Sequence, residues 1–269
     1  MKKIFIFLVV GIFLVSALAT KTSAQDFDYN RAYQDYTYNY DLYKKAHSEY
    51  DLKRAQYLQS RTLISQEEAQ KATAKMLQAR DQATITYLTA IRLKLAETKG
   101  VDAIQRETYY SLIDADVAWY KTHRDSISSA ASLEDLVKDS DAAAERYKST
   151  EITIYKSLLL VSNGKTDNFQ TLISDLTGKI ETKVSQIRAN GDKDTSDIER
   201  WILEVKNRVS RSQDKETEGW ALINKLKLTD KTKITTYNAA EGKFSESLQY
   251  LKEANSFLKQ IITEIKTQD

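Results

Sequence analysis

No cysteine and no proline occur in the 269 residues, and there are only seven glycines and two histidines. Each shortage excludes something. Without cysteine there is no disulfide framework, thiolate zinc site, cysteine nucleophile or lipid-modified cysteine. A helix interior rejects proline at a cost of about 3 kcal/mol, while turns, edge strands and extended linkers draw on it. Its complete absence points to an all-α chain. The two histidines, His47 and His123, belong to no H-E-x-x-H and no Glu-x-x-His pair, so no metal or other cofactor is expected. A G-x-S-x-G elbow, a Walker lysine loop and a Gly-rich dinucleotide turn are missing as well. Carboxylate pairs such as Glu67/Glu68 and Asp114/Asp116 read as solvated helix faces in a chain that is 29% charged. Nothing here specifies an enzyme.

What is present begins at the N-terminus. Lys2 and Lys3 precede an apolar run from Ile4 to Ala19, followed by Thr20-Lys21-Thr22-Ser23-Ala24. Charged, apolar and small-residue regions in that order are a secretory signal peptide, residues 1–24, and they imply export to the periplasm, cell surface or exterior. Ala17-Leu18-Ala19 and Thr22-Ser23-Ala24 both fit as cleavage sites, and the second leaves Gln25 first. As helix the apolar run covers about 24 Å, short of the roughly 30 Å hydrocarbon core, so membrane contact is expected only if the segment stays uncleaved. Removing Lys2, Lys3 and Lys21 takes the 40 basic residues to 37 against 38 acidic ones. No basic stripe is left for phosphate contacts, and nucleic acid is not an expected partner.

The most patterned stretch runs from Asp26 to Lys99. Tyr29, Tyr33, Tyr36, Tyr40, Tyr43, His47, Tyr50, Arg54 and Tyr57 alternate at spacings of four and three, the a/d repeat of two packed helices. Ala69, Ala72, Met76, Ala79, Ala83, Tyr87 and Ala90 continue at three and four in a different frame. The frame slips around Arg61–Ile64, just before the S-x-x-E capping box Ser65-Gln66-Glu67-Glu68. Two arms are expected, Phe27 to Ser60 and Gln66 to Lys99, the second closed by Gly100 at C′. Eight of the sixteen tyrosines lie between positions 29 and 57. An unpaired buried hydroxyl costs about 1–3 kcal/mol, so a dry core would use leucine instead. The seam is therefore read as half-wet, either as a hairpin interface whose hydroxyls reach the rim or as an aromatic face for a partner helix, glycan or wall polymer.

Beyond Gly100 the pattern predicts a third helix capped by Asp102 and reaching Asp125. A serine-rich linker is placed at 126–132, and Ser132 caps a fourth helix that ends at Asn163-Gly164. A fifth runs from Asp167 to Asn190-Gly191, and a sixth is capped by Ser196. Apolar positions vanish between Ser210 and Glu218, which predicts a break or a solvent-exposed stretch. The last helix starts at Thr229-Asp230. The expected architecture is an elongated antiparallel bundle of coiled-coil hairpins with about seven helices. Its divisions are a tyrosine-rich hairpin plus third helix over 25–125, the linker at 126–132, and a second helical bundle over 133–269.

At the hairpin tip, Arg54, Leu58 and Ser65 stand four and then seven residues apart. Residues 27–99 resemble the coiled-coil hairpin of periplasmic adaptor (membrane fusion) proteins, in which an arginine, a leucine and a serine at those spacings meet an outer-membrane channel. The resemblance implies a hairpin and a transport-coupled role; adaptors flank theirs with β domains, where this chain has helices. The expected function is an exported, non-catalytic structural or partner-binding component of the cell envelope. Its recognition residues would be Tyr29, Tyr33, Tyr36, Tyr40, Tyr43, Tyr50 and Tyr57 with Arg54, Leu58 and Ser65, and its partner a protein or a cell-wall polymer. A holdase-like chaperone gripping a client between its arms, a ligand-sensing bundle and a homo-oligomer remain open at this point.

Overall fold

A computed structural model describes residues 28–127, 132–190 and 194–268. The expected signal peptide and four residues of the expected linker, 128–131, lie outside them. Among the described residues there are six helices and no strand: α1 Tyr29–Ser60, α2 Leu63–Glu97, α3 Ala103–Ile127, α4 Leu133–Asn190, α5 Ser196–Ile223 and α6 Lys233–Gln268. The all-α antiparallel bundle is as the composition predicts, with six helices where the pattern gives about seven.

Ion pairs and ring contacts fix the registers. On α1 and α2, Lys53 pairs with Glu68 and Glu49 with Lys75, while the Tyr36 ring lies 4.8 Å from that of Tyr87. On α2 and α3, Asp81 meets His123 and Arg92 meets Asp114. On α4 and α5, Glu181 pairs with Lys206, and on α5 and α6, Arg208 pairs with Glu253. With Arg188–Glu199 on α4 and α5, Lys215–Glu246 on α5 and α6, and Asp116–Arg146 and His123–Asp139 on α3 and α4, successive pairs descend on one helix as they rise on the next, so consecutive helices run antiparallel. The arrangement falls into two groups that share α4. Its N-terminal half packs with α2 and α3 around Ile85, Leu88, Ile91, Ile113, Tyr120 and Ile154. Its C-terminal half packs with α5 and α6 around Ile173, Ile180, Ile202, Leu251, Leu258 and Ile261.

The predicted end of a helix at Asn163-Gly164 is overturned, and the predicted interruption at 210–218 is met only in part. The fourth and fifth expected helices are one, 58 residues long. Gly164 does not end a helix; it leaves room for one to be approached. A Cβ there would stand 2.4 Å from Val101 Cγ2, and one on Gly100 would stand 2.1 Å from the Gly164 carbonyl oxygen. The α2–α3 turn thus rests directly on the α4 backbone, with Gly100 at φ +82°. At 210–218 α5 does not break, and most of the stretch is solvent-exposed, the second of the two expected outcomes. Only its inner face differs from the expectation: there a polar layer stands in for apolar residues, with Ser212 Oγ 2.7 Å from Ser247 Oγ of α6, both fully buried.

Helix ends show smaller shifts. Asp102 caps α3 through the Gln105 amide and Ser132 caps α4 through the Asp135 amide, as predicted. The cap of α2 is Thr62, three residues before the expected Ser65, which instead closes the box from N3. Thr195 occupies the N-cap position of α5, with Ser196 as its first residue. Asp230 accepts from the Lys227 amide and closes a turn, so α6 begins three residues later, at Lys233.

Candidate functional site

The α1–α2 hairpin projects from the first group. Along its backbone α1 packs against α2 alone, whereas α2 also packs against α3 and α4. One cluster of Ala46, Met76, Leu77, Ile127 and Leu136 ties the arm to the body. From Met76 to the tip the hairpin buries only Ser65, Ala69 and Ala72, so among the described residues roughly its last 20 Å is α1 against α2 with no third helix.

The α1 seam is shifted from the expected frame. Its two buried residues are Ala32 and Ala46, and Asn39 and Lys53 occupy the equivalent positions further along. Tyr29, Tyr36, Tyr43, Tyr50 and Tyr57 lie every seven residues, belong to both frames, and are half-buried. Tyr33, Tyr40, His47 and Arg54 fall on the flank instead. Small buried alanines on α1, Ala46 against Met76 and Leu77 among them, let the helices approach, which pushes the alternate rings outward. The result is a continuous ladder: Tyr29, Tyr33, Tyr36, Tyr40, Tyr43, His47 and Tyr50 touch in sequence, with centroids 5.8 to 6.3 Å apart. Tyr33 and Tyr40 remain 47% and 42% exposed. Lys94 lies over the Tyr29 ring at 4.1 Å and Lys44 over Tyr40 at 5.1 Å.

One flank of the ladder borders a groove. Helices α1 and α4 both pack on α2 with no close backbone approach to each other among the described residues, and α2 forms the floor between them. Two adjoining hollows of about 340 and 360 Å³ share Arg80, Thr84 and Tyr147; Tyr36, Tyr40, Tyr43 and Tyr87 line the first of them. Burial pushes the Tyr87 phenol up to about 12 and also raises Tyr36 and Tyr147. These phenols are therefore neutral at physiological pH, each able to donate and accept one hydrogen bond. Arg80 brings positive charge to the floor, held by Asp81 at 3.4 Å and Ser140 at 3.5 Å. Rings for walls and hydroxyls with a guanidinium below suit an amphipathic ligand of either protein or polymer.

At the tip, Arg61 takes the left-handed conformation at φ 49° and Thr62 starts α2, a two-residue connection. Arg54 and Leu58 are exposed on α1. Ser65 is 8% exposed, with its hydroxyl bonded to Ser60 and Thr62, so it holds the turn together from inside. The outermost apolar groups are Leu63 and Ile64, 71% and 72% exposed. Sequence spacing did not single these two out, nor Arg80 and Tyr147, because nothing local to them says which helix lies opposite.

His123 lies elsewhere, between α2, α3 and α4. Its Nδ1 is 2.5 Å from Asp81 Oδ2, its Nε2 is 2.9 Å from the Asp139 carbonyl, and Trp119 stacks on the ring at 4.8 Å. Both nitrogens face acceptors and neither is open to a ligand. Among the described residues no group of three or more His, Asp or Glu side chains is placed to hold a metal, and no helix is long and apolar enough to cross a membrane. Comparison with protein-family models, curated proteins and solved structures gave no match.

Proposed function

We infer that this chain is an exported, non-catalytic helical-bundle protein that serves as a partner-binding component of the cell envelope. The partner, a protein or a cell-wall polymer, is engaged through the tyrosine face of the α1–α2 arm. The observation that carries this reading is that α1 is backed by one helix while bearing a seven-ring ladder with exposed members. Exposed aromatic rows are costly in water, and tyrosine suits a contact surface because its ring is apolar and its hydroxyl is not. The exposed Leu58, Leu63 and Ile64 at the tip supply a second contact of the same kind. The adaptor-like placement of Arg54 and Leu58 agrees with this direction of reach.

The groove favours one further reading, a bundle that senses a small ligand between α1 and α4. A single experiment separates the two. In a cross-linking pull-down from envelope fractions, the triple variant Tyr36→Ser/Tyr40→Ser/Tyr43→Ser should lose its captured partner while its circular dichroism stays that of the parent. Soluble wall fragments added as competitors should leave capture of a protein partner intact and abolish capture of a polymer. Unfolding of the whole chain in the triple variant would assign the ladder to the core and end the proposal. Binding of the fragments with no captured macromolecule would establish the sensing bundle instead.

A further inference from the structure

The polar layer of the second group has a direction. The Trp220 indole is a donor only, and its Nε1–H meets Asn163 Oδ1 at 3.0 Å, so the other end of that amide must present Nδ2. Nδ2 donates to Asp167 Oδ2 at 2.5 Å. From the opposite side Ser247 Oγ donates to Glu216 Oε1 at 2.9 Å, which obliges Ser212 to donate to Ser247 at 2.7 Å. Two hydrogen-bond chains therefore converge, one from α5 through α4 and one through α6. They end on two carboxyl groups that the α4–α5 register sets opposite each other, Glu216 one turn before Trp220 and Asp167 one turn after Asn163, and each carboxyl counts the other as a hydrogen-bond partner. Two carboxylates cannot bond each other; one must carry a proton.

We propose that Asp167 and Glu216 share one proton that pins α5 to α4, and that losing it loosens the α4–α5–α6 group. No cation answers these charges. Among the described residues neither carboxyl has an ion pair. The nearby lysines are engaged outward, Lys215 with Glu218 and Glu246, and Lys243 with the same two acids. Glu241 of α6 is occupied by Ser162 and lies in the field of Lys165. Burial first, and then the charge of Asp167 against the opposing Ser247 bond, pushes Glu216 up from 4.5 to about 7, and burial also raises Asp167. The location gives the proton reach. Asn163 adjoins Gly164, on which the α2–α3 turn rests, and Trp220 packs with Leu95, Val101, Leu160 and Val161 at the junction of the two groups.

The sign follows from a folded value above the unfolded one. The contribution is complete below about pH 4.5 and declines as pH rises, ending once the folded carboxyl ionises near 7. The experiment is native-state hydrogen exchange on the full chain from pH 5 to 8, corrected for intrinsic rates, read at the α5 amides of residues 210–220. The opening constant should climb by up to about tenfold per pH unit between 5 and 7 and then level off. Glu216→Gln, which supplies the N–H permanently, should flatten that climb. Should this variant fold poorly, Asp167→Asn makes the same test from the other side. A parent protein whose α5 protection is flat over this range, or a variant that keeps the parent's climb, would overturn the shared proton.

Discussion

At the scale of single residues the strongest constraints are buried polar groups. Asp81 is fully buried, and its partners are the His123 imidazole and the Arg80 guanidinium. Burial lifts its carboxyl above the usual range although both partners pull it down. Removing one member of such a pair leaves the other without compensation, which costs about 3–5 kcal/mol. Asp81→Ala should therefore lower the urea midpoint substantially, while Asp41→Ala, on an exposed partner of Lys44, should leave it where it was. Sequence gave little notice of this. His123 is visible in the sequence as one of only two histidines, but Asp81 is 42 residues away on another helix and no spacing rule joins them. Asp116 in turn belongs to Arg146 of α4, at 2.6 Å.

At the scale of elements, helix class and most ends were legible because they rest on local chemistry. Proline's absence, the caps Asp102 and Ser132, and Gly100 with its positive φ act within a turn of where they stand. Three features were not legible, each because one residue type serves two purposes. Glycine ends helices and also admits close neighbours, and Gly164 does the second. A polar run marks solvent or a satisfied interior layer, and 210–218 contains the layer built on Ser212 and Glu216. Residues 29, 36, 43, 50 and 57 fit two heptad frames equally, and only packing shows that Ala32 and Ala46 complete the true one. That choice is testable in α1. Enlarging Ala46 to leucine forces extra volume into the contact with Met76 and Leu77 and should cost about 1–3 kcal/mol by thermal denaturation. Truncating the neighbouring flank residue, His47→Ala, should change stability far less. Equal losses from the two would restore the frame that places His47 in the seam.

At the scale of the whole molecule the two helical groups meet at a backbone-to-backbone contact. The α2–α3 turn belongs to the first group, and it rests on the midpoint of the helix that both groups share. Alanine at Gly164 gains about 1 kcal/mol of helix propensity in isolation. Its methyl would stand 2.4 Å from Val101 Cγ2 and 3.0 Å from two backbone atoms, and overpacking of that kind costs about 1–3 kcal/mol. Steric cost wins, so Gly164→Ala should lower the melting temperature, whereas Gly178→Ala, with open space around it on the same helix, should raise it. A rise at both positions would mean the turn does not press on α4.

Because α4 is uninterrupted for 58 residues, the azimuth between the tyrosine arm and the α5–α6 pair is written in residue count along a single screw axis. One added or deleted residue between the two packing zones would swing one group by about 100° around the other while moving it only about 1.5 Å along. Length changes there act as changes of aim, and insertions of seven, close to two full turns, are the ones that restore it.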